Sequence, residues 1–269
     1  MGSRNEGRPL RLLSFLAPSL PEGLFRLVGE RIAAATRRPV EVDFETSVSG
    51  PTVETDPFAS GRADLAFVCG PSWSVLRDGG AAVAFISAAP VFDDPRNGGR
   101  PVYFSDVIVP AGHPSRSLAD LRGGRWVYND RQSLSGWHRM LERLAAMGLD
   151  APETFYARVF ASGSHVRSIE LVAAGEADVS AVDSNALMLA RRRTPGLSER
   201  LRVLESWGPT PIQPLLASGS LDARTRADVL TALLTLDGDA AARRSLAAYG
   251  VVRFAPADPS SYEALITTP

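Results

Sequence analysis

"SGSHVRSIELVAAGEADVSAVDS", Ser162 to Ser184, holds one full structural cycle of this 269-residue chain. A small polar turn leads into apolar residues at helical spacing. Gly175 then closes the segment, and Val179 to Val182 form a short apolar run. Apolar residues recurring every three to four positions mark a helix, and a short β-branched run bounded by turn residues marks a buried strand. The stretch just ahead, "TFYARVFA", reads as the preceding strand. Strand, turn, helix, strand is the building block of α/β proteins.

The same cycle recurs on both sides. Towards the N-terminus, "PLRLLSFLAP" reads as a strand, "EGLFRLVGERIAAAT" as a helix and "PVEVDFET" as a strand. Leu65 to Val68 give a buried strand, "WSVLRDG" a short helix, and "AAVAFISAAPVF" and "PVYFSDVIVPAG" one strand each. A second run starts at "SLADLRGGRWVYND", with a strand at Arg125 to Tyr128 and a helix over "GWHRMLERLAAMGL". After Ser184, "SNALMLARRR" reads as a helix, "LRVLESWG" and "PIQPLLASGS" as strands, and "LDARTRADVLTALLTL" and "GDAAARRSLAAYG" as two closing helices. The alternation predicts an α/β protein with mainly parallel sheets. Its two junctions, near Tyr103–Val109 and Ser206–Pro214, predict two lobes. One covers residues 8–104 and 210–269, the other 105–209.

Composition removes several function classes. Apolar residues make up 45% and charged residues 22% of the chain, as in ordinary globular proteins. The net charge of −1, with no basic block, argues against nucleic-acid binding. All 29 basic residues other than histidine are arginine, so a Schiff-base lysine and a P-loop lysine are excluded. Cys69 is the one cysteine and lies in the apolar run "ADLAFVCG", where a buried inert thiol is expected. No stretch reads as a transmembrane helix. The three histidines, His113, His138 and His165, form no local metal pair, and there is no Gly-x-Ser-x-Gly elbow. Asp93-Asp94 beside Pro95 reads as a solvated turn, and Arg191–Arg193 as the basic end of a helix. No metal, no cofactor and no catalytic group are expected.

Three turns stand out where a strand gives way to a helix. In "YNDRQSLSGWHR", Ser133, Leu134, Ser135 and Gly136 open a helix. A helix start exposes unpartnered N–H groups and the positive end of the helix dipole, which favours anions. Two hydroxyls there add donors, and Gly136 admits a close approach to the backbone. Helix capping by Ser133 or Ser135 explains the same letters. In "ASGSHVRS", His165 stands at a helix start, where the dipole disfavours a cationic ring unless an anion is present. In "FVCGPSW", Gly70 and Ser72 follow a strand. All three belong at carboxyl ends of strands, where open α/β sheets bind ligands.

The segments "GRADLAFVCGPSW", "VYFSDVIVPAGHPSRSLADLRG", "YNDRQSLSGW" and "SGSHVRSIELVAAGEADVSAVDS" follow one another as in the phosphonate- and phosphate-type substrate-binding proteins of ABC transporters. The chain resembles that family from about Leu10 to Val252. The resemblance implies a type 2 periplasmic-binding-protein fold, with two α/β lobes and a ligand cleft between them. It also implies that Ser133, the Leu134 backbone, Ser135 and His165 hold phosphonate oxygens, and that Asp183 stands where the second lobe reads a ligand amine. Val166 replaces a family carboxylate after the histidine, and Val68-Cys69 replaces an aromatic residue. Tyr103, Phe104 and Trp73 are the aromatic residues available as a wall.

The expected function is therefore capture of a small phosphorus oxyanion (phosphonate, phosphate or phosphite) by a monomer that serves an ABC permease. The protein would be periplasmic if a signal segment has been removed ahead of Met1, and cytoplasmic otherwise. The alternative is a cytosolic binding or enzymatic protein of the same fold acting on a small carboxylate.

Overall fold

The computed structural model describes residues 7–263 and 265. Residues 1–6, 264 and 266–269, which include the C-terminal end of the expected first lobe, lie outside the described residues. The chain divides into two compact units. Unit 1 takes residues up to 45, 49–102 and those from 211 onward; unit 2 takes 46–48 and 103–210. Tyr103, Phe104 and Thr210 thus group with unit 2.

Unit 1 begins with β1 (Leu10–Ser14), α1 (Glu22–Thr36) and β2 (Val40–Phe44), a parallel pair joined by a helix. Helix α1 buries Leu24, Val28 and Ile32 of the apolar stripe Leu24, Leu27, Val28 and Ile32, with Phe25 buried beside them and Leu27 half-buried. Next come β3 (Leu65–Phe67), α2 (Pro71–Asp78), β4 (Val83–Ile86) and β5 (Ala88–Phe92). The apolar run "AAVAFISAAPVF" reads as one strand in sequence. It breaks at Ser87 because its halves pair with different strands.

Unit 2 contains, but for the end residues Val102 and Pro211, β6 (Val102–Pro110), β7 (Arg125–Tyr128), α3 (Arg139–Ala146), β8 (Arg158–Ala161), α4 (His165–Ala173), β9 (Ser180–Asp183), α5 (Ser184–Arg193), α6 (Leu197–Arg200) and β10 (Leu201–Pro211). Strands β6 and β9 pair antiparallel, with Ser105 opposite Asp183. Strands β7 and β8 pair parallel, from Arg125–Arg158 to Tyr128–Ala161. Alternate residues of these strands bury on opposite faces. Val107, Trp126, Tyr128 and Ala181 pack with Trp137, Met140 and Tyr156. Ile108, Val127 and Val182 pack with Ile169, Val172 and Leu187. With helices on both faces, short apolar strands suffice.

The return to unit 1 brings β11 (Leu215–Ser218), α7 (Ala223–Leu234), α8 (Ala240–Ala247) and β12 (Val251–Pro256). The five-stranded sheet has the order β2-β1-β3-β11-β4, with β11 antiparallel to both neighbours. Strand β12, which sequence periodicity does not single out, pairs antiparallel with β5 and has a register shift between Val251 and Arg253. Parallel pairing is found in β1–β2, β1–β3 and β7–β8, while β6–β9, β11 and β12 pair antiparallel, so the sheets are mixed and not mainly parallel as the alternation predicts.

Candidate functional site

The parallel pairing of β7 with β8 builds the site. It sets two strand ends side by side, so that the turns after Tyr128 and Ala161 run together. The ladder continues past the strands: Ser162 N donates to Tyr128 O at 2.7 Å and Gly163 N to Asn129 O at 2.9 Å. One turn then enters a helix at Leu134 and the other at His165. The result is a direct contact, with Ser135 Oγ 3.2 Å from His165 Nε2. Residues 30 apart in sequence meet because adjacent parallel strands end level.

Leu134–His138 form a π-helical turn ahead of α3, so the helix opens two residues earlier and wider than its apolar spacing suggests. Ser133 Oγ accepts from Gly136 N at 3.1 Å, and Ser133 O accepts from both Trp137 N and His138 N at 3.1 Å. Ser133 is therefore the cap, and it engages the Gly136 N–H that sequence reasoning offers to an anion. Ser135 makes no such cap. Its hydroxyl faces His165, and its carbonyl accepts from Ser105 Oγ of β6 at 2.8 Å. π-Turns of this kind occur frequently at functional sites.

Gly136 is required by close approach. A Cβ there would overlap Asn129 Oδ1 and stand 3.2 Å from His165 Cε1. Behind the turn, Trp137 stacks on Trp126 with ring centroids 5.1 Å apart and planes 13° apart, and meets Tyr128 at 4.5 Å. The Arg131 guanidinium lies 4.9 Å from the Trp137 centroid. These contacts hold the turn rigid, which keeps its donors in place.

His165 is 6% exposed, and burial pushes its ring pKa down to about 3. The imidazole is therefore neutral near pH 7, with one nitrogen a donor and the other an acceptor. Its helix is capped by Ser164 Oγ, which accepts from Arg167 N at 3.2 Å. A buried neutral imidazole beside a buried hydroxyl can donate to an oxyanion without bringing a counter-charge.

The remaining expected residues are distributed as follows. Asp183 ends β9 and caps α5, its Oδ1 accepting from Asn185 N at 2.7 Å and Ala186 N at 3.3 Å. Opposite it on β6 is the same Ser105 that holds Ser135. Tyr103 is buried in β6. Gly70 and Ser72 belong to unit 1, where Gly70 precedes Pro71 at the start of α2. Ser72 is buried, and a Cβ on Gly50 would overlap its Oγ. Cys69 is buried, as its apolar run predicts. Ser105 and Asn129 escape sequence reasoning, because one sits inside an apolar strand and the other reads only as a strand end.

Among the described residues no group of three His, Cys, Asp or Glu could hold a metal ion. No helix among them is long and apolar enough to cross a membrane.

No curated protein matches the chain by sequence. A binding-protein component of an ABC phosphonate transporter from Pseudomonas aeruginosa has a similar structure, with a TM-score of 0.80 at 17% identity over 95% of this chain and 83% of that one. PhnD1 of Prochlorococcus marinus, in complex with methylphosphonate, gives 0.77 at 17% identity over 95% of each chain. A Xanthomonas citri protein bound to ATP gives 0.67 at 19% identity, over 95% of this chain and 94% of that one. These likenesses show a shared two-lobed binding-protein fold. The family is a substrate-binding component of a transporter and not an enzyme, which implies a small-molecule ligand and a permease partner. Residues 22–262 match the family model described as "ABC transporter, phosphonate, periplasmic substrate-binding protein", and the chain belongs to that family.

Proposed function

We propose that unit 2 holds the tetrahedral head of a small phosphorus oxyanion (phosphonate, phosphate or phosphite) on the Ser133 and Ser135 hydroxyls, His165 and the Leu134 backbone, with Gly136 leaving room for it. The observation that carries this reading is the buried Ser135–His165 pair at 3.2 Å, assembled by two adjacent strand ends. A guest oxygen can take the Ser135 O–H and the His165 N–H in place of their mutual bond; both groups are shielded from water, and both stand at helix starts, where the dipole favours negative charge. Hydrogen bonds to an ionised acceptor are roughly twice as strong as neutral ones. The methylphosphonate carried by the Prochlorococcus marinus protein supports the same ligand class.

In this reading Asp183 and Tyr103 supply further contacts from unit 2, and Gly70 and Ser72 are the candidate contacts of unit 1. The protein works as a monomer in the periplasm, after removal of any leader that precedes Met1, and delivers ligand to an ABC permease.

A thermal-shift series with methylphosphonate, phosphate and phosphite against acetate, succinate and glutamate tests the ligand class. Ligand at a hundred times its dissociation constant adds about 2.7 kcal/mol. For a chain of this size that is about 5–10 °C in Tm. Shifts with carboxylates and none with phosphorus oxyanions would sink the assignment.

A further inference from the structure

Asn129 lies outside the serine motif but reaches into the site. It follows β7, is 3% exposed, and its side chain lies over the π-turn. A Cβ built on Gly136 would overlap Asn129 Oδ1 and stand 3.0 Å from Asn129 Cγ and 3.2 Å from His165 Cε1. The amide thus stands against the Gly136 backbone on the side that His165 faces. Its orientation follows from its neighbour. Nδ2 donates to Asp130 Oδ2 at 2.8 Å, and turning the amide would set two acceptor oxygens against each other. The group presented towards Gly136 and His165 is therefore the carbonyl oxygen, an acceptor with two lone pairs.

An acceptor suits only some anions. A tetrahedral oxyanion that keeps one proton can donate it to Oδ1, whereas one with no proton turns a lone pair towards it. Phosphate groups have a second pKa of about 6, so near neutral pH a sizeable fraction is singly protonated. Sulfonate and sulfate carry no proton there. We infer that Asn129 is a specificity-determining residue, whose side-chain carbonyl accepts the remaining proton of a singly ionised phosphonate or phosphate and so selects it over sulfonate and sulfate. The inference rests on the oxyanion reading proposed above.

The charges around the site point the same way. Asp130 adjoins Asn129 in the chain, and Asp183 at the end of β9 pairs with Ser105, whose hydroxyl holds Ser135 O. Two carboxylates on the elements that pack round the turn disfavour a doubly charged guest. Arg131, a cation on the same turn, lies over Trp137. His165, pushed down to about 3 by burial, stays neutral from pH 6 to pH 9. Burial also lowers His138 at the end of the π-turn, so the change that remains through the upper part of that window is the ligand's own second ionisation.

Isothermal titration of the full chain with methylphosphonate and with methanesulfonate, at pH 6 and pH 9, tests the inference. The wild type is expected to bind methylphosphonate at least about tenfold more tightly than methanesulfonate at pH 6, because the sulfonate has no proton to give Oδ1 and turns a lone pair towards it. Its affinity for methylphosphonate is expected to fall at pH 9. Asn129→Leu and Asn129→Ala are expected to narrow the gap between the two ligands and to flatten the pH profile. The ratio of two ligands on one variant is read from folded protein only, so a loss of stability does not mimic the effect. Variants that keep both the gap and the pH profile overturn the inference, as does a wild type that binds the two ligands alike. A wild type that binds neither methylphosphonate nor phosphate fells the functional reading itself, and the inference with it.

Discussion

Ser133–Gly136 of unit 2 and Cys69–Ser72 of unit 1 both bring serine and glycine to the same kind of place, the end of a strand and the start of a helix. Their hydroxyls are used differently. In unit 1, Ser72 Oγ packs against Gly50, and Gly70 opens α2 with no side-chain cap. In unit 2, Ser133 takes the capping role and releases Ser135 to meet His165. The difference lies in what arrives beside the turn. Strand β7 has a parallel neighbour that ends level with it and starts a second helix with a histidine. Strand β3 lies between β1 and the antiparallel β11. β1 also ends level with β3, Ser14 beside Phe67, but the residues that follow it, Phe15 and Leu16, bring no polar partner to the turn, whereas β8 leads to His165.

The largest effect is expected where the unit 2 turn is tightest. Gly136→Ala drives a methyl into Asn129 and towards His165. Overpacking of this kind costs about 1–3 kcal/mol. Because the displaced groups form the site, methylphosphonate binding is expected to fall at least a hundredfold in the same titration. Gly50→Ala creates the matching overlap with Ser72 Oγ in unit 1. It is expected to lower stability while leaving affinity within a few-fold. Equal losses of affinity from the two changes would erase the contrast between the turns.

Next comes the pair itself. Ser135→Ala and His165→Ala each strip a buried polar group of its partner, a loss of about 1–3 kcal/mol. Each is expected to weaken methylphosphonate binding tenfold or more. Residues that act together are non-additive, so the double variant should cost clearly less than the two single losses combined. Strict additivity in urea denaturation and in titration would mean that the 3.2 Å contact carries no coupling.

The pH dependence of stability separates the units in another way. The three histidines, His113, His138 and His165, all lie in unit 2. His165 has an ordinary value of 6.5, and burial pushes it down to about 3 in the folded protein. Above pH 6.5 the ring is neutral in both states and contributes nothing. As pH falls below 6.5 the unfolded chain takes up a proton that the folded chain does not, so stability falls, and goes on falling until about pH 3. The slope reaches about 1.4 kcal/mol per pH unit. Burial also lowers His138, which adds a limb of the same sign. The comparison must therefore be made with His165→Asn, whose stability between pH 6.5 and pH 4 should fall less steeply than that of the wild type. Asp64 of unit 1 marks the contrast. Burial pushes its carboxyl up, but hydrogen bonds from Arg8 and Arg11 outweigh this and hold it below the usual range. Its contribution is present above the ordinary carboxylate value and is lost only at more acid pH. Identical slopes for the wild type and His165→Asn would contradict the burial of the ring.

These contrasts also explain what could be read in advance. Helix α1 and the β1–β2 pair follow from local periodicity, and the Ser-x-Ser-Gly turn and His165 are visible as letters. The contact between them is a property of strand pairing. Nothing in a period of two or 3.6 states that Tyr128 sits level with Ala161. Ser105 contributes a hydroxyl from within an apolar strand, and Asn129 acts through a side chain folded back over a glycine. Strand β12 escapes notice because a register shift interrupts its alternation. Side-chain roles set by tertiary pairing are illegible to local patterns, even where the elements themselves are plain.

The smallest expected effects compare the two turns serine for serine. Ser133→Ala removes the cap on Gly136 N, which costs about 1 kcal/mol. It also loosens the turn that orients Ser135, so affinity for methylphosphonate should drop about five- to tenfold through positioning alone. Ser133→Thr keeps the hydroxyl and should restore most of it. Ser72→Ala removes a hydroxyl that packs against Gly50 and caps no helix. Away from special features such changes stay within about 0.5 kcal/mol. The affinity change should be no more than about threefold, because any contact that Ser72 makes with ligand is one donor beside the Ser135–His165 pair. Titrating both variants beside the wild type measures the difference directly. If Ser72→Ala costs more than Ser133→Ala, the turn of unit 1 is the principal anion site, and the roles assigned to the two turns must be exchanged.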